Sequence, residues 1–424
     1  MKVLIVGSGA REHAIGWKLK ADNPGVSLAF APGNGGTALL GRNLASGMDN
    51  AACVQAAKDA KADLVVIGPE GPLAMGLADD LSKQGIKVFG PSRKAAQLET
   101  SKLFAKAFMM AHGLPTASFQ DFDSFASALA YLKQVDFPVV IKADGLAQGK
   151  GVVVARDSKA AEAALRRFMQ EDALGTAGRR VVIEEFLKGE ELSVLAFFDG
   201  ENFVFLPPMR DHKALLDGNK GPNTGGMGAV CPVFPDRKLW SSITGELANR
   251  LRAGLAKEGI RYQGIVYFGL MLTDKGPKLL EFNARFGDPE TQTVLPLCDA
   301  PLLELLDATC QGELGRFDPM MFFKTLETLP RVSVCVVLAA PGYPDKPITG
   351  GVITGVKANG PFSRGSFVFH AGTKQDSGKL LTAGGRVVSL VSVGADLTRA
   401  RAGAYALADI VRFEGMQLRR DIGF

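Results

Sequence analysis

Residues 1–100 alternate short runs of continuous apolar residues with stretches of helical period. Val3-Leu4-Ile5-Val6 ends at Gly7 and Gly9 and gives way to REHAIGWKLKA; DLVVIGPEGPL and IKVFGPS supply further runs of the same kind. Apolar strands without a polar alternate, set between helices, predict a parallel sheet covered on both faces. Ligands of such sheets gather at the carboxyl ends of the strands, so the loops after Val6, Ile67 and Phe89 are expected on one rim.

The pattern then changes. Leu103, Phe104, Ala107, Phe108 and Ala111 lie at helical spacing, with Gly113 placed to end the helix and Pro115 beyond it. Asp123 is placed to cap a helix carrying Phe125, Leu129 and Leu132. PVVIKADGLAQGKGVVVA reads as strand, glycine loop, strand, and RRVVIEEFL as a strand. ELSVLAFFDGENFVFLP reads as a hairpin turning at Asp199-Gly200, and IVYFGLMLTDKGPKLLEFN as one turning at Asp274-Lys275-Gly276. From Arg331 the chain is strand-rich and closes on the helical LTRARAGAYALADIVRF. The expected organisation is a multidomain α/β and α+β chain. It has an N-terminal parallel-sheet, Rossmann-like domain (1–100), a middle region (101–325) with a small α+β lid over 115–190, and a C-terminal α+β domain (326–424).

Composition narrows the classes. A chain of 424 residues is too long for one ordinary core. Its 46% hydrophobic and 22% charged residues are those of a globular protein, and its net charge of +5 suits a small anionic ligand rather than nucleic acid. Five scattered cysteines without a CxxC pair predict reduced thiols in a cytoplasmic protein. The first residues lack a signal-peptide layout, and no apolar run is long enough for a membrane span.

Five stretches carry candidate chemistry. In GSGAREH the third position of a dinucleotide fingerprint is Glu12, a poor neighbour for a pyrophosphate, which disfavours a redox enzyme. The turn is left as a plain strand-to-helix connection or a helix N-terminus for one phosphate. In KADGLAQGKGVVV, Lys142 lies on a strand, and Gly145, Gly149 and Gly151 surround Lys150 in a loop suited to covering a triphosphate. Glu184-Glu185 and Glu190-Glu191 flank a strand end that could meet an adenine and a ribose. In KLLEFNARFGDPETQ, strict alternation places Leu279, Glu281 and Asn283 on one face and Lys278, Leu280 and Phe282 on the other. Glu281 and Asn283 are then paired oxygen ligands for Mg²⁺, Arg285 is placed for a phosphate, and Asp288 and Glu290 add acceptors. Finally, Asp211-His212-Lys213 precedes the glycine loop NTGGMG, which could approach a small substrate closely.

In this order GSGAREHA, GPEGPL, KADGLAQGKGV, GPNTGGMGA and EFNARFGDPETQ closely resemble the glycinamide ribonucleotide synthetase (phosphoribosylamine–glycine ligase) family of ATP-grasp enzymes, over essentially the whole chain. The resemblance implies an ATP-grasp fold with a mobile lid. It also implies ligation of glycine to 5-phosphoribosylamine at the expense of ATP with Mg²⁺ or Mn²⁺, an early step of purine synthesis. Lys102, Lys142 and the Gly145–Gly151 loop, including Gly149 and Lys150, would face ATP phosphates; Glu184, Glu185, Leu187 and Glu191 would surround adenine and ribose. Glu281 and Asn283 would hold the metal. Gly9, Glu12, His13, Pro69, Glu70 and Gly71 would line the phosphoribosylamine and glycine region, joined by Asn223, Thr224, Gly225, Gly226, Met227 and Glu290. Catalysis would fall to Arg285, Asp211, Lys213 and Asp288. Three departures stand out. Gln148 replaces the usual Ala, Met209-Arg210 replaces Ser-Gln, and Ala214 replaces Arg, which moves basic charge across the motif from 214 to 210. The partners implied are small molecules only, without nucleic acid or membrane, for a monomer or small homo-oligomer.

Overall fold

A computed structural model of the chain describes residues 1–147, 150–356 and 365–424. Its first sheet is wholly parallel, in the order Arg42–Asn43, Ser27–Pro32, Lys2–Gly7, Leu64–Ile67, Lys87–Phe89. Neighbouring residues of the first strand enter different cores. Val3 and Ile5 pack with Ala14 and Leu19 of the helix Ala10–Asp22, whereas Leu4 and Val6 pack with Cys53 and Leu77 on the opposite face. Burial on both faces explains why the run carries no polar alternate.

The helix Lys102–Ala111 ends as expected: Gly113 takes φ +65°, and Leu114 N–H returns to the Met109 carbonyl at 2.8 Å. Its buried stripe is rotated from the expected one. Ala105, Lys106, Phe108 and Met109 face inward, while Ala107 and Ala111 are exposed.

Residues 119–185 form an antiparallel sheet ordered Phe119–Phe122, Val181–Glu185, Val139–Ala143, Val152–Ala155. Val139, Ile141 and Ile183 pack beneath the helices Phe125–Leu132 and Ser158–Met169. Alternation turns Lys142 and Glu184 to the other face. Asp123 does not cap: the edge strand runs to Phe122, the turn comes one residue later, and Ser124 is the N-cap residue without a side-chain bond.

A second antiparallel sheet follows the order Phe203–Phe205, Glu190–Phe198, Gly264–Thr273, Gly276–Asn283. Both predicted hairpins are present; Asp199 fixes the first by accepting the Glu201 and Asn202 N–H groups at 2.9 and 2.7 Å. The last sheet is ordered Arg210–Asp211, Gly228–Cys231, Val332–Ala339, Arg386–Gly394, Ser366–His370, so it draws strands from both sides of residue 325. This pairing pins the Asp211-His212-Lys213 and NTGGMG segments to the C-terminal sheet.

The first helix docks on that sheet through aromatic rings. Trp17 meets Phe367 and Phe369, and His13 meets Phe369 and His370. His13 Nδ1 accepts the His370 N–H at 2.8 Å, so both the ring and the backbone are committed. Burial holds His13 well below 6.5 and His370 at about 4. A base whose folded pKa is depressed leaves the unfolded chain binding more protons between the two values. Stability should therefore be full above pH 6.5 and fall as pH drops from 6.5 towards 4, by on the order of 3 kcal/mol for His370 alone. Urea unfolding at pH 7.5 and pH 5 measures this; equal stability at both would remove the assignment.

Among the described residues no helix is long and apolar enough to cross a membrane. All five cysteines are free.

Candidate active site

The glycines of the N-terminal turn make room for Glu12. A Cβ at Gly7, Gly9 or Gly68 would lie 2.7, 2.7 or 1.9 Å from atoms of its carboxyl group. Glu12 is buried; Oε2 accepts the Gly9 N–H at 2.5 Å and Oε1 accepts from Arg11 Nε at 2.6 Å. The helix N-terminus thus already holds an anion, its own third-position glutamate, which explains the broken dinucleotide fingerprint. It also means that the Gly9 N–H is not available to a phosphate. His13, expected near the substrate, is committed to the docking contact with His370.

Pro69 is the N-cap of the short helix Glu70–Ala74, which carries Gly71 and presents Glu70 on the same rim. Glu70 Oε2 lies 3.6 Å from Arg285 Nε, and Glu99 Oε1 lies 2.9 Å from Arg285 Nη2. Glu99 also accepts the Ala284 N–H at 2.7 Å, and Arg285 donates to Asn283 Oδ1 at 3.3 Å. Burial tends to lower the Arg285 pKa, but Glu99 and Glu70 together raise it further. Burial raises the pKa of Glu99 despite the guanidinium. No sequence signal pointed to Glu99, which closes an otherwise ordinary helix.

The glycine loop is knitted to the Asp-His-Lys segment. Thr224 N–H and Oγ1 both donate to the Lys213 carbonyl at 2.8 Å, and Met227 N–H donates to the His212 carbonyl at 2.8 Å. Asn223 ends the exposed strand Lys220–Asn223, whereas Met227 is buried. Gly226, at φ +112°, passes close to Asp211 Oδ1 and Pro289, where any side chain would collide. Arg386, from the C-terminal sheet, ties these loops together. It donates to the Gly225 and Asp288 carbonyls, both at 2.7 Å, and pairs with Asp288 Oδ2 at 3.3 Å. Tyr343 OH accepts the Gly225 N–H at 3.1 Å. Sequence reading missed both residues because they lie more than a hundred positions from the loop they hold.

Lys213 sits between Glu191 Oε2 and Glu281 Oε1, 3.4 Å from each. Burial opposes its charge, but Glu191 and Glu281 outweigh it and hold the ammonium well above the ordinary lysine value. Burial likewise opposes ionisation of Glu281, yet Lys213, Lys102 and Lys142 bring its pKa down to about 2. Asp211 is driven the other way: burial first, then the Glu290 carboxylate, raise it well above the carboxylate range. Its Oδ1 is buried without a partner among the described residues. Glu290 accepts from Tyr267 OH at 3.0 Å and Ser193 Oγ at 3.2 Å. Burial holds the His212 ring at about 4, so it is neutral at physiological pH. Arg210 pairs with Glu190, and the Ala214 carbonyl accepts from the buried Arg419.

On the face of the Phe119–Glu185 sheet turned away from its helices, Lys142 Nζ lies 3.0 Å from Glu184 Oε2 and donates to the Leu280 carbonyl at 3.1 Å. Glu184 Oε2 also meets the buried Lys106, at 3.1 Å. Glu185 is turned outward onto Lys278 and the Ser118 N–H, and Leu187 is buried. Asp144 accepts from Ser101 Oγ and the Leu103 N–H, fastening the end of the strand Val139–Ala143 to the start of the helix that carries Lys102. Gly145 and Gly151 close against Ala177 and Ala147, and Lys150 Nζ reaches the Asp345 carbonyl at 3.5 Å. Gln148 and Gly149 lie outside the described residues.

The strand Gly276–Asn283 departs from strict alternation. Gly269 pairs with Glu281 and Leu270 with Leu279, so Leu280 is an extra, bulged residue. Leu279 consequently enters the same core as Phe282, rather than sharing a face with Glu281. Beyond the bulge, Glu281 and Asn283 still project together, two residues apart. One ionised carboxylate and one amide oxygen fit a hard divalent cation that takes its remaining ligands from phosphates and water.

This geometry agrees with comparisons to known proteins. Residues 1–99, 100–291 and 333–424 match the N, ATP-grasp (A) and C domain models of phosphoribosylglycinamide synthetase. The chain is 46% identical to the phosphoribosylamine–glycine ligase of Caulobacter vibrioides, over 100% of this chain and 98% of that one. It is 44% identical to the human trifunctional purine biosynthetic protein adenosine-3, of which it spans 42%. The crystal structure of phosphoribosylamine–glycine ligase from Thermotoga maritima superposes with a TM-score of 0.85 at 37% identity, covering 100% of both chains. The biotin carboxylase domain of the Hydrogenobacter thermophilus 2-oxoglutarate carboxylase shares the fold, with a TM-score of 0.73 over 98% of this chain and 91% of that one at 15% identity. With all three domain models matched in order, the chain belongs to the phosphoribosylglycinamide synthetase family of ATP-grasp proteins.

Proposed function

We propose that the chain joins glycine to 5-phosphoribosylamine at the expense of ATP, giving glycinamide ribonucleotide, ADP and phosphate in purine synthesis. The observation that carries this reading is the meeting of Lys213, Glu281 and Glu191 beside the Asp211–Gly226 contact, within a chain matched throughout by family relatives. A glycine carboxylate oxygen attacks the γ-phosphorus of ATP, and the bond to the ADP oxygen breaks. The phosphoribosylamine nitrogen then attacks the carbonyl carbon of glycyl phosphate; phosphate leaves with the C–O bond electrons and the nitrogen loses a proton.

The chain supplies positioning and charge rather than a covalent nucleophile. Lys102, Lys142 and the lid loop face the phosphates, with Glu184, Glu185, Leu187 and Glu191 around the nucleoside. Arg285, held by Glu99 and Glu70, faces the transferring phosphoryl group. Asp211, buried with a raised pKa and one unpartnered oxygen, takes the proton from the attacking amine. The rim built by Gly9, Glu70, Gly71 and Asp288 receives phosphoribosylamine, closed by the Asn223–Met227 loop. Glu281 and Asn283 would hold Mg²⁺ or Mn²⁺, which when bound offsets phosphate charge. The lid over residues 115–190 excludes water from glycyl phosphate. The substrates are small molecules, with no nucleic acid or membrane, in a cytoplasmic monomer or small homo-oligomer.

A coupled ADP-release assay, omitting glycine and phosphoribosylamine in turn, tests the reading. Release should require glycine and be fast only with both. ATP cleavage equally fast without phosphoribosylamine would refute protection by the lid, and binding without release would mark a regulator instead. Arg386→Met should raise KM for phosphoribosylamine by about tenfold, since it frees the Gly225 and Asp288 carbonyls, and leave KM for ATP within about twofold. A uniform change in both would show a merely structural arginine.

A further inference from the structure

Lys106 is a charged residue on the buried face of its helix, 2% exposed. Its ammonium lies 3.1 Å from Glu184 Oε2 and donates to Thr116 Oγ1 at 2.7 Å. Thr116 Oγ1 in turn donates to the Leu279 carbonyl at 2.6 Å, and Lys142 donates to the next carbonyl, Leu280, at 3.1 Å. These are the two carbonyls at the bulge that sets the direction of Glu281. Two ammonium groups therefore share one oxygen of Glu184, while its other oxygen, Oε1, is buried without a partner among the described residues.

A carboxylate held between two cations can release one of them and keep its charge balanced. If Lys142 were its sole cationic partner, moving Lys142 onto a phosphate would leave Glu184 as an unpaired anion in a desolvated place. That cost would be subtracted from nucleotide binding. We infer that Lys106 is a positioning residue for ATP: it stays on Glu184 as the counter-charge, so that Lys142 is free to turn from Glu184 to the nucleotide phosphates. Lys106 itself touches no substrate. The inference rests on the proposed ATP-dependent ligase function. Thr116 gives the relay a second branch, through which the same lysine steadies the bulge before Glu281. Facing the ammonium are Glu184 and Glu185 from one lid strand, Lys142 from the next, and the Phe119 ring at 5.9 Å. Burial, only partly offset by Glu184, brings Lys106 down to about 8.

The test uses the full chain, with wild type first shown to release ADP only when glycine is present. Failure of that control would sink the ligase reading alone, and calorimetric binding of ATP to wild type and Lys106→Met would then decide the charge relay, equal affinity overturning it. Lys106→Met should raise KM for ATP about tenfold or more while changing kcat at saturating ATP less than about threefold, with KM for glycine unaltered. Lys106→Arg, which keeps the charge, should recover most of the ATP affinity. In the wild type, KM for ATP should rise from pH 7 to pH 9 as Lys106 loses its proton. Unchanged KM for ATP in Lys106→Met, with only a lowered Tm, would overturn the inference and leave a structural tie. Should Lys106→Met fail to fold, an unchanged KM for ATP in Lys106→Gln would overturn it equally.

Discussion

Glu281→Ala should lower kcat by about a thousandfold or more while the chain remains folded. The residue is partly buried, its side chain 34% exposed, near the end of a hairpin strand, and its removal leaves Lys213 with Glu191 as a partner, so no charge is left unpaired. What disappears is an anion surrounded by Lys213, Lys102 and Lys142, which keep it ionised down to about pH 2. Its pKa is depressed, so its charge persists above that value, and protonation cannot account for any loss of activity above pH 4. Glu281→Gln separates charge from shape: it keeps an oxygen at the same place and should lose nearly as much activity, because a neutral amide oxygen is a weak partner for a divalent cation. Steady-state ADP release across a metal titration, beside thermal unfolding, distinguishes the cases. Near-normal turnover at saturating metal would remove Glu281 from the metal site.

Arg285→Met should cost about 3–5 kcal/mol of stability as well as turnover. The guanidinium stands between buried Glu99 and half-buried Glu70 and also donates to the Phe286 carbonyl and Asn283. Without it, Glu99 keeps the Ala284 N–H but loses its nearest cation. Its pKa, already raised by burial, should climb further. A raised carboxylate pKa favours the folded state at low pH, so the deficit of the variant should shrink as pH falls from 8 to 5. Arg285→Met with Glu99→Gln should recover part of the loss, because the stranded carboxylate is gone. Denaturant unfolding of both single variants and the double variant reads the coupling. A double variant no more stable than Arg285→Met would place the cost elsewhere.

The parallel sheet was legible because its central strands, Lys2–Gly7 and Leu64–Ile67, are buried on both faces and so are almost wholly apolar, whereas the exposed edge strand Arg42–Asn43 carries no such signal. The two hairpins were legible because Asp-Gly and Asp-Lys-Gly mark turns by their own backbone preferences. The Glu281-Phe282-Asn283 pattern placed Glu281 and Asn283, the pair proposed for the cation, together on one face, since period 2 is local beyond the bulge. The bulge at Leu280 was not legible: its direction is fixed by Thr116 and Lys142, which approach from other segments. Glu12 shows both sides of this. The sequence was enough to say that it spoils a dinucleotide turn. Only the packing of Gly7, Gly9 and Gly68 around its carboxylate shows that the turn is filled from within.

By itself, then, the chain determined its local elements, its family motifs and the residue types that its chemistry needs, because these depend on neighbours a few positions away. The tertiary structure decided which charges meet. Lys106 lies on Glu184, Arg285 on Glu99, Arg386 on Asp288 and His13 on the backbone of His370. Each of these pairs joins segments far apart in sequence, and each has its meaning from shared burial. A charge or a histidine takes its pKa and its cost from the low-dielectric surroundings that distant parts of the chain build around it.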